Sequence, residues 1–313
     1  MRGYLDEDAA YFVGLLVGRG EVAEIQDRWT AVIDFPFVHS ELEGFDRFTD
    51  FLSSVVTTVL PRLKALLGEL VNLSCVPDRQ RVAITVELPA RHLAVRNLRL
   101  ILGERQSHRE FVIPELIFQS DGEIVREFLR GFADVAGSIR RSNRDRNGFH
   151  RVYLDVLNAN WALPAQLCQL LQQRLKVPVH EILWGHPNLR DPQASRLEQS
   201  PFREHQLRIY AHDFLEVGFY INHKQEILKK LADENKQQIR RGISDPSSPC
   251  NGVRRFRPKE HHPLENDERL PEHIRGRHFD AYWQICAACG CPLAQKAIKE
   301  MKRQRRLIDD EGA

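Results

Sequence analysis

The stretch GEIVREFLRGFADVAGSIRRSN, residues 122–143, reads as a helix that ends at Gly137 and passes at once into a strand opening at residues 138–141. The same pattern occurs earlier in the chain. AAYFVGLLVGRG, residues 9–20, is a short apolar helix with Gly14 and Gly18 four residues apart, stopped by Gly20. Glycine at a helix end commonly supplies the left-handed conformation of the cap, and that is the role expected of Gly20. Small residues spaced by four let two helix backbones approach closely, so the two glycine-ended helices are expected to pack on each other about a pseudo-twofold axis. A lone glycine pair would mark only a tight helix contact. What gives it weight is the repetition of the element order around it.

Working outward from the first motif, alternating segments at 21–26 and 29–37 read as strands. They are followed by a long amphipathic helix at about 43–70, whose apolar face is Phe45, Phe48, Phe51, Leu52, Val55, Val59 and Leu63. Residues 71–76 and 81–88 read as a second hairpin and 90–102 as a closing helix. From the second motif, 151–157 alternates as a strand, 163–175 is amphipathic, 179–183 and 206–211 pair as a hairpin, and 214–235 closes as a helix. Both orders are αββαββα. The fold class is therefore α+β, with repeats over 1–120 and 121–235 and an extension over 236–313.

A chain of 313 residues with 42% apolar content buries a substantial core. No stretch approaches the roughly 20 apolar residues needed to span a bilayer, and the start, with Arg2, Asp6, Glu7 and Asp8, does not resemble a signal peptide. A cytoplasmic protein is expected, with its six cysteines reduced. Charge is graded along the chain. Residues 1–120 hold 13 basic and 17 acidic side chains (net −4), residues 121–235 hold 16 and 15 (net +1), and residues 236–313 hold 16 and 11 (net +5). A polyanion would be drawn mainly to the second half and the tail; the plainer alternative is a solvated mixed-charge surface.

FVGLLVGRG (residues 12–20) and LRGFADVAG (residues 129–137) together resemble the LAGLIDADG homing endonuclease family in its single-chain, two-repeat form. The likeness extends over about residues 5–235, with further support from VYLDVLNAN at 152–160 and the region 214–224. The resemblance implies a central interface of the two motif helices and two antiparallel sheets forming a saddle in the DNA major groove, which accepts a two-stranded β-ribbon. Double-stranded DNA is then the expected partner, RNA a possible one, and the chain a monomer with internal pseudo-dimer symmetry. Outward candidates in the second repeat are Arg140, Arg141, Arg144, Arg146 and Arg151, with Arg203 and Arg208 on the later hairpin. Arginine suits both guanine edges and phosphates. The first repeat offers Arg28, Arg79 and Arg81 among Glu21, Glu24, Gln26 and Asp27, a mixed set expected to grip phosphate weakly.

Active members of that family carry an acidic residue just before the last glycine of each motif, where the two carboxylates hold divalent metal for phosphodiester hydrolysis. Here those positions are Arg19 and Ala136, and neither binds a cation. No cofactor is expected, or Mg²⁺ if displaced acids such as Glu21 and Asp134 act instead. Asp134 lies two residues before Ala136, about 200° around the helix, and is expected to stabilise the helix end or to hydrogen-bond across the interface. Arg19, facing the place where phosphates would lie, suits a binder better than a nuclease.

Residues 236–252 read as a linker, 278–292 as a docked helix, and 296–306 as a basic helix. Arg254, Arg255, Arg257 and Lys259, with Lys302 and Arg303, are candidate contacts to the DNA backbone. Cys250, His261, His262, His273, His278, Cys286, Cys289 and Cys291 include one CxxC spacing but no second clean pair, so no metal is assigned.

Overall fold

In a computed structural model of the chain, which describes residues 5–38, 42, 44–45, 47–68, 70–76, 80–141, 148–157, 162–186 and 204–241, two helices pack directly on one another at the centre. Helix α1 (Glu7–Arg19) is capped by the Asp6 carboxylate, which accepts from the Ala9 N–H, and has Glu7 and Asp8 in its first turn. Residues Ala10 to Gly18 are all buried. Helix α6 (Gly122–Ala136) is capped by Asp121, which accepts from the N–H groups of Glu123 and Ile124. The contact between them is backbone to backbone. A methyl group at Gly14 would lie 2.1 Å from the Phe128 carbonyl oxygen, and one at Gly131 would lie 2.1 Å from the Tyr11 carbonyl oxygen. One at Gly18 would lie 2.4 Å from Val135 Cγ2.

Gly20 acts differently from expectation, and Gly137 behaves as Gly20 does. Gly20 (φ −94°) and Gly137 (φ −96°) are both extended, so no left-handed cap forms and each helix runs straight into its strand. Glycine is needed there for space. A methyl group would lie 2.7 Å from Leu16 Cα at Gly20, and 2.5 Å from the Ala133 carbonyl oxygen at Gly137.

Strands β1 (Gly20–Ile25), β2 (Arg28–Pro36), β3 (Val71–Val76) and β4 (Arg81–Pro89) form an antiparallel sheet in the order β1-β2-β4-β3. Gln26 and Asp27 join β1 to β2 at φ of 56° and 58°, the double positive φ of a type I′ hairpin. Alternation places Trp29, Ala31, Ile33 and Phe35 of β2, and Val82, Ile84, Val86 and Leu88 of β4, in the core. Strands β5 (Gly137–Arg140), β6 (Arg151–Leu157), β7 (Glu181–His186) and β8 (Glu204–Tyr210) form a second antiparallel sheet with the corresponding order, β5-β6-β8-β7. Its inner face supplies Val152, Leu154, Val156, Leu207 and Ile209 to the same continuous core.

The covering helices depart from the sequence expectation at their interruptions. The long first-half helix begins at Phe48, not near 43, so Phe45 packs from outside it. It runs as α2 (Phe48–Ser54), a π-helical turn (Val55–Val59) and α3 (Leu60–Leu67). The helix read at 163–175 is likewise α7 (Ala162–Gln169) followed by a π-helical turn (Leu170–Arg174). Helix α4 (Leu93–Leu102) closes the first half, and the connection holds a short α5 (Glu115–Gln119) that periodicity did not reveal. The last helix is broken. Helix α8 (Ala211–Phe214) stops at a turn containing Gly218 (φ +69°), and α9 (Asn222–Arg240) continues past residue 235 into what reads as linker.

Contacts beyond α1 and α6 also tie the halves together. The Ser54 hydroxyl accepts from the His223 N–H at 3.0 Å, capping a helix that has no capping side chain of its own. The Arg62 guanidinium sits 4.4 Å from the Tyr11 ring centroid and 4.7 Å from that of Tyr220. It also pairs with Asp8 at 2.5 Å and with buried Glu127 at 2.7 Å.

Gly14→Ala and Gly131→Ala each drive a methyl group into a carbonyl that cannot rotate away, and should destabilise the fold by about 3 kcal/mol or more. Gly122→Ala, with its nearest atom 3.9 Å away, should be neutral or slightly stabilising. Urea unfolding midpoints check this; equal midpoints for all three variants would contradict the close packing.

Candidate nucleic-acid interface

The faces of the two sheets turned away from the core differ in how their charges are satisfied. On the first sheet, Arg28, Thr30, Val32 and Asp34 of β2 stand beside Arg81, Ala83, Thr85 and Glu87 of β4. Its arginines are already partnered: Arg28 Nη1 lies 3.1 Å from Glu87, and Arg81 pairs with Asp34. Glu24 of β1 pairs with Arg99 of α4. This face is nearly neutral and fully formed without a ligand. Exposed ion pairs of this kind contribute little to stability.

On the second sheet, Ser138 and Arg140 of β5 lie beside Arg151, Tyr153 and Asp155 of β6, and then Gln206, Arg208 and Tyr210 of β8. Arg140 and Arg208 flank the Tyr153 ring at 5.1 and 5.4 Å, and Arg151 lies 5.2 Å from the centroid of Tyr210. Gln206 donates to Asp155 at 2.8 Å and accepts from Arg208 Nε at 3.0 Å. Tyr210 contacts His180, hydroxyl to Nε2, at 3.2 Å. This face thus gathers three arginines around two tyrosines, with Asp155 on β6 and, opposite Arg208 in the register, Glu181 on β7.

At the joint ends of α1 and α6, the two positions that the resemblance marks for acids hold half-buried Arg19 and buried Ala136. Asp134 is fully buried and turned toward the protein. Its Oδ2 accepts from the Tyr11 hydroxyl across the helix interface at 2.7 Å, and its carboxylate also accepts from the N–H groups of Tyr220 (3.2 Å) and Ile221 (3.3 Å). Lys224 of α9 reaches under the helix end, donating to the carbonyl oxygens of Asp134 (2.6 Å) and Gly137 (2.7 Å). That places an ammonium where the helix dipole is negative and its last carbonyls lack partners. Burial pushes the Asp134 carboxyl up to about 6 and the Lys224 ammonium down to about 8, against their mutual attraction; Arg19 lowers Lys224 further. Burial, then Asp134, raises the Tyr11 phenol well above its ordinary value, which keeps it a donor.

Glu21, the other displaced acid, accepts from the Ser107 hydroxyl at 2.8 Å and lies 2.7 Å from His108 Nδ1. The segment carrying those residues pairs along β1, with the Val22 N–H donating to Gln106 and the His108 N–H donating to Gly20. Burial lowers His108, Glu21 opposes this, and Arg19 adds to it. A divalent cation does not fit this arrangement: two cationic side chains, Arg19 and Lys224, stand at the helix ends, and Asp134 has its oxygens committed to protein donors. No metal-assisted step is derived.

Several sequence-read residues are placed otherwise than expected. Arg151, read as an outward groove contact, is only 2% exposed and lies over the Tyr210 ring, 5.2 Å from its centroid. Arg28 and Arg81 are exposed but ion-paired, and Arg141 is exposed near Glu234 at 3.4 Å. Arg79, Arg144, Arg146, Arg203, Arg254, Arg255, Arg257, Lys259, Lys302 and Arg303 lie outside the described residues, as do the tail cysteines and histidines. The sequence reading missed Tyr11, Ser107, His108, Ser138, Tyr220 and Lys224. Of these, Lys224 had a signal: a lysine on the buried face of an amphipathic helix. Among the described residues, no helix is long and apolar enough to cross a membrane.

No protein-family model matches the chain, and no curated protein matches it. Among solved structures, the LAGLIDADG homing endonuclease I-GzeII in complex with its DNA target is similar over 78% of this chain and 94% of that one, at 11% identity and a TM-score of 0.34.

The folded Asp134 carboxyl binds its proton more tightly than the unfolded one, whose value is near 3.8. Its contribution to stability is therefore fully present below about pH 4 and lost as pH rises through about 6. Asp134→Asn should flatten the pH dependence of the melting temperature between pH 4 and 6.5 relative to the parent chain. Superimposable profiles in that window would show that the carboxyl is not held as described.

Proposed function

We propose that the chain binds double-stranded DNA as a two-repeat protein of LAGLIDADG homing-endonuclease fold and does not cut it. Residues 1–120 and 121–235 are the two repeats, related by a pseudo-twofold axis along the α1–α6 contact. Their sheets form the saddle, and residues 236–313 add a basic extension. The observation that carries the reading is the outer face of the second sheet, where Arg140 and Arg208 flank Tyr153 and the buried Arg151 lies against Tyr210. Such a face gains from displacing counterions off a polyanion. The motif glycines and the matching strand orders support the repeat architecture.

Absence of cleavage is supported by the helix ends. Arg19 stands where an acid would be needed, Asp134 is committed to Tyr11 and backbone donors, and Glu21 is engaged by Ser107. A positive charge at that point favours holding a phosphate over hydrolysing it, because hydrolysis there needs a metal to position water. A regulatory role follows from binding without cutting.

Selection from a random duplex pool without divalent metal should recover a preferred sequence, bound with affinity that falls steeply with salt, and Arg140→Ala with Arg208→Ala should weaken binding by about tenfold or more. Incubating the selected duplex with Mg²⁺ or Mn²⁺ should leave it intact. Nicks above background would restore the nuclease reading, and tighter binding to structured intron RNA than to any duplex would replace DNA as the ligand.

A further inference from the structure

The second sheet carries an unresolved electrostatic problem. Arg151 is 2% exposed, and its Nε and Nη2 have no hydrogen-bond acceptor among the described residues. The contact it does make is with the face of Tyr210, 5.2 Å from the ring centroid. A buried carboxylate or lysine can escape such a position by changing protonation state, but a guanidinium cannot. Buried charges are therefore normally paired or coordinated. On the same face, the Ser138 hydroxyl is 4% exposed and likewise lacks a partner among the described residues.

The register brings these two groups together. Arg140 stands directly opposite Arg151, and Ser138 directly opposite Tyr153, so Ser138 and Arg151 are diagonal neighbours across β5 and β6. Diagonal positions on an antiparallel pair are about 7–8 Å apart, within reach of a long side chain. Like charges placed directly opposite each other are unfavourable. Asp155 does not relieve Arg151: it lies four residues along β6, where Gln206 donates to it at 2.8 Å.

We propose that Arg151 and Ser138, with Arg140 opposite, form a phosphate-binding site set into the outer face of β5 and β6. A tetrahedral oxyanion has enough acceptor oxygens to take Nε and Nη2 of the Arg151 guanidinium and a hydroxyl proton together, and the charge to offset that buried cation. The same chemistry is offered by a phosphodiester of bound duplex and by free phosphate. Only the choice between these sources rests on the DNA-binding reading.

The test uses the full chain in phosphate-free buffer, titrated with inorganic phosphate against sodium chloride at equal ionic strength and read by melting temperature. Phosphate should raise the melting temperature of the parent chain. Arg151→Met should weaken the apparent phosphate affinity by about tenfold to a hundredfold, as expected for loss of charge-assisted hydrogen bonds. It should still fold without phosphate, since it removes a buried charge with no acceptor. Ser138→Ala provides an independent check and should weaken phosphate binding by about fivefold without altering net charge. No rise in the parent chain, or the same phosphate response in all three proteins, overturns the site. Saturation with the selected duplex should abolish the phosphate response if the backbone occupies the site. A persistent response on the DNA-bound protein overturns that assignment and leaves the DNA reading standing, while a chain that binds phosphate but no duplex loses the DNA reading and keeps the site.

Discussion

Everything in this molecule is arranged around a contact between two peptide backbones. Gly14 meets the carbonyl of Phe128 and Gly131 meets the carbonyl of Tyr11, so α1 and α6 are closer than any pair of side chains would permit. Because each helix passes without a cap into the first strand of a sheet, the crossing also fixes where β1 and β5 begin. The outer helices, the Ser54 cap on α9 and the stacked Arg62 then lock the two halves into one core. Side-chain packing elsewhere can adjust by rotamer; a glycine against a carbonyl cannot.

The electrostatics follow from that crossing. The two helix C-termini come together with their carbonyl dipoles aligned, a negative field that requires a cation. In this chain the cation is covalent: the Lys224 ammonium donates to two of the last carbonyls, with the Arg19 charge close enough to lower it. Asp134 faces inward, held by Tyr11 and by the turn leading into α9. The compensating charge is thus built into the polypeptide. The cost is a lysine and an aspartate buried together, each displaced from its ordinary titration range.

Much of the architecture was legible because it depends on period and spacing. The alternation of β2, β4 and β6, and the pairing of glycine-ended helices, are visible in the residues alone. The misplacements have local physical reasons. Gly20 reads as a left-handed cap because that is the usual reason for a glycine at a helix end, whereas here, as at Gly137, the need is for room. The π-helical turns at Val55–Val59 and Leu170–Arg174 preserve the apolar stripe, so periodicity passes over them. Gly218 at positive φ was the available sign that the last helix is broken. Of the candidate interface, the arginine-rich character of the second sheet could be read, but the burial of Arg151 could not. RVYLDVL alternates as a half-exposed strand does, and only the placement of Tyr210 on the neighbouring strand shows that this arginine is covered.

The burial of α1 on every side has a consequence for how the protein must be made. Its residues from Ala10 to Gly18 find their main partner in α6, whose last residue is Ala136. At ordinary elongation rates of roughly 5–20 residues per second, that partner is synthesised on the order of ten seconds after α1. For that interval a helix with a long apolar middle is outside the ribosome, or close to its exit, with its glycine groove empty. The same close fit that makes the finished molecule rigid leaves its nascent chain with a sticky segment and a long wait, so yield in a cell depends on translation speed and chaperone supply as well as on final stability.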